Sequence, residues 1–206
     1  MPDFDSTAMY APTVAGEPDW QRDEDALFDA SLAAVARFQK DQPSIAVSAF
    51  GFDSEPCYGY ALICFETPAN ALTVAMDREE RGVKDRYEYF ATDSSWKIAK
   101  DHLRRECIEH SDSTGYFAFS QFAHVTFEGW ESFAAAENYP KADNQSDLDY
   151  LEGHACLIFW RVIERLVDAG AFNRLNLWSP FRIGFNFHGE RFLVVRMLNR
   201  RTPNGG

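Results

Sequence analysis

The strongest constraint on this chain lies between residues 147 and 169. Leu148, Leu151, Ala155, Ile158, Phe159, Val162, Ile163 and Leu166 recur there at three- and four-residue spacing, and Gly170 follows. That period predicts a helix from about Asp147 to Ala169 with one apolar stripe, closed by a glycine at its C-terminal end. A helix so one-sided has to cover an apolar partner, and the next segments read as strands. Arg182 to Phe187 alternates Ile183, Phe185 and Phe187. Phe192 to Leu198 comes next, after His188-Gly189-Glu190, which is short enough for a hairpin turn.

The N-terminal half follows the same logic. Asp23 reads as the N-cap of a helix to about Lys40, with Leu27, Phe28, Leu32, Val35 and Phe38 on one stripe. Ile45 to Asp53 and Tyr58 to Phe65 read as two strands joined by the turn residues Asp53-Ser54-Glu55-Pro56, hence as an antiparallel hairpin. The unbroken apolar run from Tyr60 to Phe65 predicts a strand inside the sheet. Thr67-Pro68 is a capping hydroxyl followed by a first-turn proline. It predicts a helix to about Arg81, with Ala71, Leu72 and Ala75 inward and Gly82 as its stop. Helices are expected at Trp96 to Glu109 and Trp130 to Asn138, around an aromatic-rich stretch from Tyr116 to Phe127, with a polar loop from Pro140 to Ser146.

These elements predict an α+β fold: a mixed, mainly antiparallel sheet flanked by helices in a single domain. Residues 23–201 form that domain. Residues 1–22, with Pro2, Pro12, Gly16 and Pro18, are expected to be a mobile acidic leader, and 202–206 a frayed tail. At 206 residues the chain can bury roughly 70% of its unfolded surface without metal or disulfide support.

Charge narrows the function classes. The net charge of −12 argues against nonspecific binding to nucleic acid or to an anionic membrane surface. No stretch approaches the ~18 apolar residues of a membrane span. The segment Met1 to Asp25 lacks a basic and apolar targeting pattern, so a cytoplasmic protein is expected. Its four cysteines (Cys57, Cys64, Cys107, Cys156) are then expected to be reduced thiols packed as small hydrophobes. Residues 161–206 hold eight arginines against Glu164, Asp168 and Glu190, for +5, leaving −17 on the first 160 residues. Most of these arginines are expected to neutralise acidic neighbours within the fold.

Catalytic motifs are lacking. The chain has no G-x-S-x-G elbow, phosphate-binding loop, G-x-G-x-x-G or H-E-x-x-H. Cys107 and His110 share a helical face with His102 nearby, but no second matching pair completes a zinc site. His154 and Cys156 diverge on a helix. Glu128 and Glu131 have capping spacing, and the Tyr116 to Phe127 aromatics lack the lysines and arginines a nucleic-acid platform needs. No metal, cofactor or catalytic residue is therefore assigned.

The order of elements resembles an uncharacterised bacterial domain family found near polymorphic toxin genes. The resemblance covers about residues 24 to 201. It is carried by the amphipathic first helix (Leu27, Phe28, Val35, Phe38), the strand Ile45 to Phe50, and the entry Phe65-Glu66-Thr67-Pro68-Ala69-Asn70-Ala71-Leu72 into the second helix. Leu166 to Phe172 closing the late helix and the ending Leu198-Asn199-Arg200-Arg201 complete it, while the long segment 83–146 departs from the family pattern. The resemblance implies an immunity protein that binds and blocks a cognate bacterial toxin, not an enzyme. An acidic chain would meet a basic toxin by charge-steered association. The candidate contact residues are Asp77, Glu79 and Glu80 at the end of the second helix, and Asp143, Asp147 and Asp149 before the long one. The alternatives are a small-molecule enzyme using His124 or His188 as base, and an adaptor in a phage or secretion assembly.

Overall fold

The computed structural model describes residues 19–55, 59–74, 77, 113–129, 145–187 and 190–199. In chain order these form α1 (Trp20–Asp41), β1 (Val47–Glu55), β2 (Tyr60–Glu66), α2 (68–74), β3 (Phe119–Thr126), α3 (Gln145–Asp168), β4 (Leu177–Phe187) and β5 (Leu193–Leu198). Short 3-10 turns at Thr114–Tyr116 and Ala171–Arg174 precede β3 and β4. The strands make one open sheet in the order β3-β2-β1-β4-β5. The β1–β2, β2–β3 and β4–β5 pairs are antiparallel, and β1–β4 is parallel. This is the expected single α+β domain with a mixed, mainly antiparallel sheet.

Local chemistry explains where the elements start, with one correction. The first helix begins at Trp20, not after Asp23: Asp19 is the cap, its carboxylate accepting the Arg22 N–H at 3.1 Å. Asp23 is instead fully buried and accepts the Gly129 N–H at 2.9 Å, so it ties α1 to the chain leaving β3. Thr67 caps α2 as its sequence predicts, its hydroxyl accepting the Asn70 N–H at 3.2 Å. The long helix begins at Gln145, two residues before Asp147, which shortens the expected loop from Pro140 to Ser146. It ends at Asp168 ahead of Gly170, whose φ of 64° is the left-handed conformation that glycine adopts without strain. The hairpin strands sit about two residues later than their patterns suggest, and β4 starts five residues earlier, at Leu177.

The register places the apolar side chains. Phe50 stands opposite Phe65 and Ile183, and Phe52 opposite Ile63 and Phe185, so these residues share one face of the three central strands. Helices α1 and α3 cover that face. Phe38 from α1 stacks on Phe65 at 4.4 Å and meets Phe119 and Phe122 edge-on. Phe159 from α3 packs against both Phe52 and Phe185. The aromatic stretch before residue 127 supplies core rings, and it also forms the edge strand β3, which the sequence reading did not predict. Truncating a fully buried ring such as Phe50 would cost about 3–5 kcal/mol.

The two helices are joined by charge as well as by rings. Glu24, buried on α1, accepts a hydrogen bond from Arg165 of α3 at 2.8 Å and lies 3.6 Å from Arg161. Arg165 also reaches Asp25 at 2.9 Å and lies over the Phe28 ring. Arg196 of β5 pairs with Glu164 at 2.7 Å. These C-terminal arginines do neutralise acids within the fold. Among the described residues, no helix is long and apolar enough to cross a membrane.

Candidate interaction surface

The sheet's second face, away from α1 and α3, carries a buried polar seam. Ala49, Gly51 and Asp53 of β1 point there, with Cys64 and Glu66 of β2 and Arg182, Gly184 and Asn186 of β4 beside them in register. Asp53, Glu66, Arg182 and Asn186 are all buried. The Thr114 backbone N–H donates to Asn186 Oδ1 at 3.1 Å, and the Thr114 hydroxyl bonds the same oxygen. Asn186 Nδ2 donates to the Phe187 carbonyl at 3.0 Å and reaches Asp53 at 3.5 Å. Toward the other edge, Glu66 accepts from the Ala118 N–H at 3.1 Å and the Thr67 N–H at 2.7 Å. Asn70 donates to Glu66 and, at 2.7 Å, to the Tyr116 carbonyl. Residues 114–118 thus form a strap over this face, bonded to β4 at one end and to β2 and α2 at the other.

The seam's chemistry is that of a fastening. Most of these bonds join the strap, the strands and α2 to one another, which is how buried polar groups are satisfied in a packed interior. The Cys64 thiol, in the middle of the seam, donates to the Ser120 carbonyl at 2.7 Å. Burial pushes its pKa well up and the Asp53 charge adds to the rise, which disfavours the thiolate a nucleophile needs. Cys156 on α3 is half-buried, and its thiol is likewise raised, by burial and then by Glu152. Both are free thiols. No group of three or more potential metal ligands occurs among the described residues.

The two described histidines lie on different elements. His124 is exposed on the edge strand β3, tilted over Tyr60 at 5.2 Å. His154 on α3 stacks flat on Trp20, with ring centroids 4.6 Å apart. Glu128 pairs with Arg22. His102, Cys107, His110, Glu131, His188 and Cys57 lie outside the described residues, as do the expected helices at Trp96 to Glu109 and Trp130 to Asn138. Of the acidic candidates, Asp77 is exposed at a helical position. Asp147 and Asp149 belong to the N-terminal part of α3, inside the helix and not at its cap. Glu79, Glu80 and Asp143 lie outside the described residues.

The outer surface holds a feature that composition did not single out. Leu157, Trp160, Trp178, Leu193, Met197 and Tyr116 are large apolar or aromatic side chains left 41–59% exposed. Two of them share one side of α3. Phe159 packs on Phe185, whose cross-strand partner is Leu193, and Glu164 reaches Arg196 on the same strand. Trp160, one turn before Glu164, and Leu157 beside it therefore border the outer edge of the sheet next to Leu193. Both α3 residues are absent from the apolar stripe read from the sequence. A tryptophan off the stripe of an otherwise regular amphipathic helix is the signal that finds them.

The other sheet edge is treated differently. On β3 the Arg37 guanidinium donates to the Phe122 carbonyl and lies 4.1 Å over its ring. Placing a charge on an edge strand is a common way to block pairing with another chain. Fold and surface together define a single-domain α+β protein with a fastened second face and exposed apolar anchors along α3 and β5. Comparison with protein-family models, with curated proteins and with solved structures returned no match to this chain.

Proposed function

We propose that this chain is a cytoplasmic binding module that neutralises a cognate bacterial toxin by direct protein–protein contact. The observation that carries the reading is the set of large exposed side chains on regular elements, Trp160 and Leu157 on α3 and Leu193 on β5. Tryptophan in particular is enriched among the few residues that dominate binding energy. The acidic net charge supports the same reading, because it speeds association with a basic partner. So does the resemblance to toxin-immunity domains.

In this reading the acidic groups steer and the apolar groups hold. Asp77 with Glu79 and Glu80, and Asp143 with Asp147 and Asp149, act on the approach of the toxin. Reversing either cluster to lysine slows association and flattens its salt dependence, with little change in dissociation. The test is growth protection. Cells expressing the product of the gene adjacent to this one should die without the chain and grow with it. Death in both cases, or growth in both, contradicts the proposal.

A further inference from the structure

We propose that β5 pairs antiparallel with the β5 of a second copy of this chain, across a two-fold axis that passes between Val195 and Arg196. This pairing is independent of the toxin-binding reading and concerns the outer edge of the sheet. Among the described residues, β5 is the last strand at that edge. A terminal strand presents a row of backbone N–H and C=O groups to any chain whose register fits. The opposite edge is guarded, since Arg37 holds the Phe122 carbonyl of β3. On β5, by contrast, Leu193 and Met197 are 53% and 59% exposed.

A bulge in β5 selects the occupant. Leu193, Arg196 and Leu198 stand opposite Phe185, Ile183 and Phe181, and so share the face covered by α1 and α3. Val194 and Met197 stand opposite Gly184 and Arg182, on the second face. The register shifts between Ile183 and Gly184, which leaves Val195 as the extra residue, and Val195 packs against the core on the α3 side. From Leu193 to Leu198 the faces therefore run α3, second, α3, α3, second, α3, the same order in either direction. Antiparallel strands join with facing residues on the same side. A regular strand alternates at every residue, so it matches β5 on one side of the bulge and is out of step beyond it. A second β5 matches throughout: Leu193 faces Leu198 of the other copy, Val194 faces Met197, and Val195 faces Arg196, each pair occurring twice. No other antiparallel register of β5 against itself keeps more than three of its six residues in step. A bulge ordinarily protects an edge, but here the same bulge lies directly opposite, so two residues meet two.

Charge fits the same register. Arg196 faces a valine, and Glu164 already matches it at 2.7 Å, so the two arginines beside the axis arrive as neutral ion pairs. The arrangement is self-complementary, as a two-fold interface requires, and it covers both exposed large apolar side chains of β5.

Sedimentation equilibrium of the full chain should give the mass of two chains at high concentration and of one on dilution. Leu193→Lys combined with Met197→Lys puts a charge into every Leu193–Leu198 and Val194–Met197 pair. It should weaken association by about tenfold or more, and the urea midpoint should change little because both side chains are exposed. The register is read separately. Val194→Cys chains mixed with Met197→Cys chains should form a disulfide between positions 194 and 197, located by peptide mapping. Met197→Cys alone should leave position 197 unlinked to its symmetry mate, which lies three residues out of register and beyond the ~7 Å reach of a disulfide. A monomer at every concentration overturns the proposal. So does a dimer indifferent to the double substitution, or one that links position 197 to itself. Growth protection against the adjacent-gene product has no bearing on these results, so the pairing and the toxin reading fail separately.

Discussion

Gly51 and Gly184 stand opposite each other in the parallel β1–β4 pair, and the Phe192 ring lies against both. A Cβ on Gly51 would come within 2.6 Å of Phe192 Cε2, and one on Gly184 within 2.0 Å of the Leu193 carbonyl oxygen. The glycines make a trough in the second face, and Phe192 fills it together with Phe117, 5.3 Å away ring to ring. The close approach of β5 to β4 depends on this trough, and so does the position of Leu193.

The two glycines should differ when substituted. In Gly51→Ala the obstacle is the end of a side chain, which can turn aside, so the loss should be about 1–3 kcal/mol. In Gly184→Ala it is the β5 backbone, so the loss should be larger and β5 should detach locally. Urea midpoints rank the pair, and amide exchange in residues 193–198 reports the detachment.

Asn186→Asp should make stability pH-dependent. The carboxyl would replace a donor to Phe187 and would face Asp53 across a buried gap spanned by a 3.5 Å contact. Two buried carboxylates that close raise the folded-state pKa of one above its unfolded value. The variant should therefore lie nearest to wild type at acid pH and lose stability as pH rises through the unfolded carboxyl pKa, by about 2–4 kcal/mol at neutrality. Parallel denaturation curves at acid and neutral pH measure the difference.

Arg165→Met should weaken the α1–α3 clamp. Burial works against the Arg165 charge, but hydrogen bonds to Glu24 and Asp25 outweigh it and raise its pKa. The Asp25 carboxyl is held below its ordinary value, chiefly by the Arg165 hydrogen bond. A depressed carboxyl contributes stability above its unfolded pKa and loses it as pH falls through the folded value. The variant should cost about 1–3 kcal/mol at neutral pH, since Arg161 remains near Glu24 and Arg165 is partly solvated. The loss should shrink in acid, which thermal melts across the acid range would record.

Cys156 should react with a thiol reagent well before Cys64. Cys64 is fully buried and hydrogen-bonded to Ser120, whereas Cys156 is half-buried on α3. Peptide mapping after timed alkylation should show Cys64 modified only under conditions that unfold the chain. Early labelling of Cys64 would mean that the strap opens readily.

The parts of the fold that were legible in the sequence are the local ones. The α3 stripe, the Thr67-Pro68 start and the β1–β2 hairpin are each written within a few residues of each other, where period and turn chemistry decide. Asp23 misled because it precedes an apolar run as a cap would, while its actual partner, the Gly129 N–H, lies 106 residues away. The early start of β4 was hidden by Pro180, which interrupts a strand pattern; here it sits in the more exposed first part of the strand, before the register with β1 becomes regular. The parallel β1–β4 pair and the Asp53–Asn186–Thr114 seam bring together residues far apart in the chain, and no local pattern announces such contacts. Trp160 was legible only by its absence from the stripe.

The central claim is that exposed apolar residues of α3 and β5, Trp160 foremost, hold a cognate toxin that the acidic chain attracts. Calorimetric titration of the full chain with the purified adjacent-gene product tests it most directly, for wild type and for Trp160→Ala, at low and high salt. The account predicts a one-to-one complex for wild type, weakened at high salt, and at least tenfold weaker binding for Trp160→Ala, about 1.4 kcal/mol or more. Wild-type binding that neither the substitution nor salt alters would contradict it.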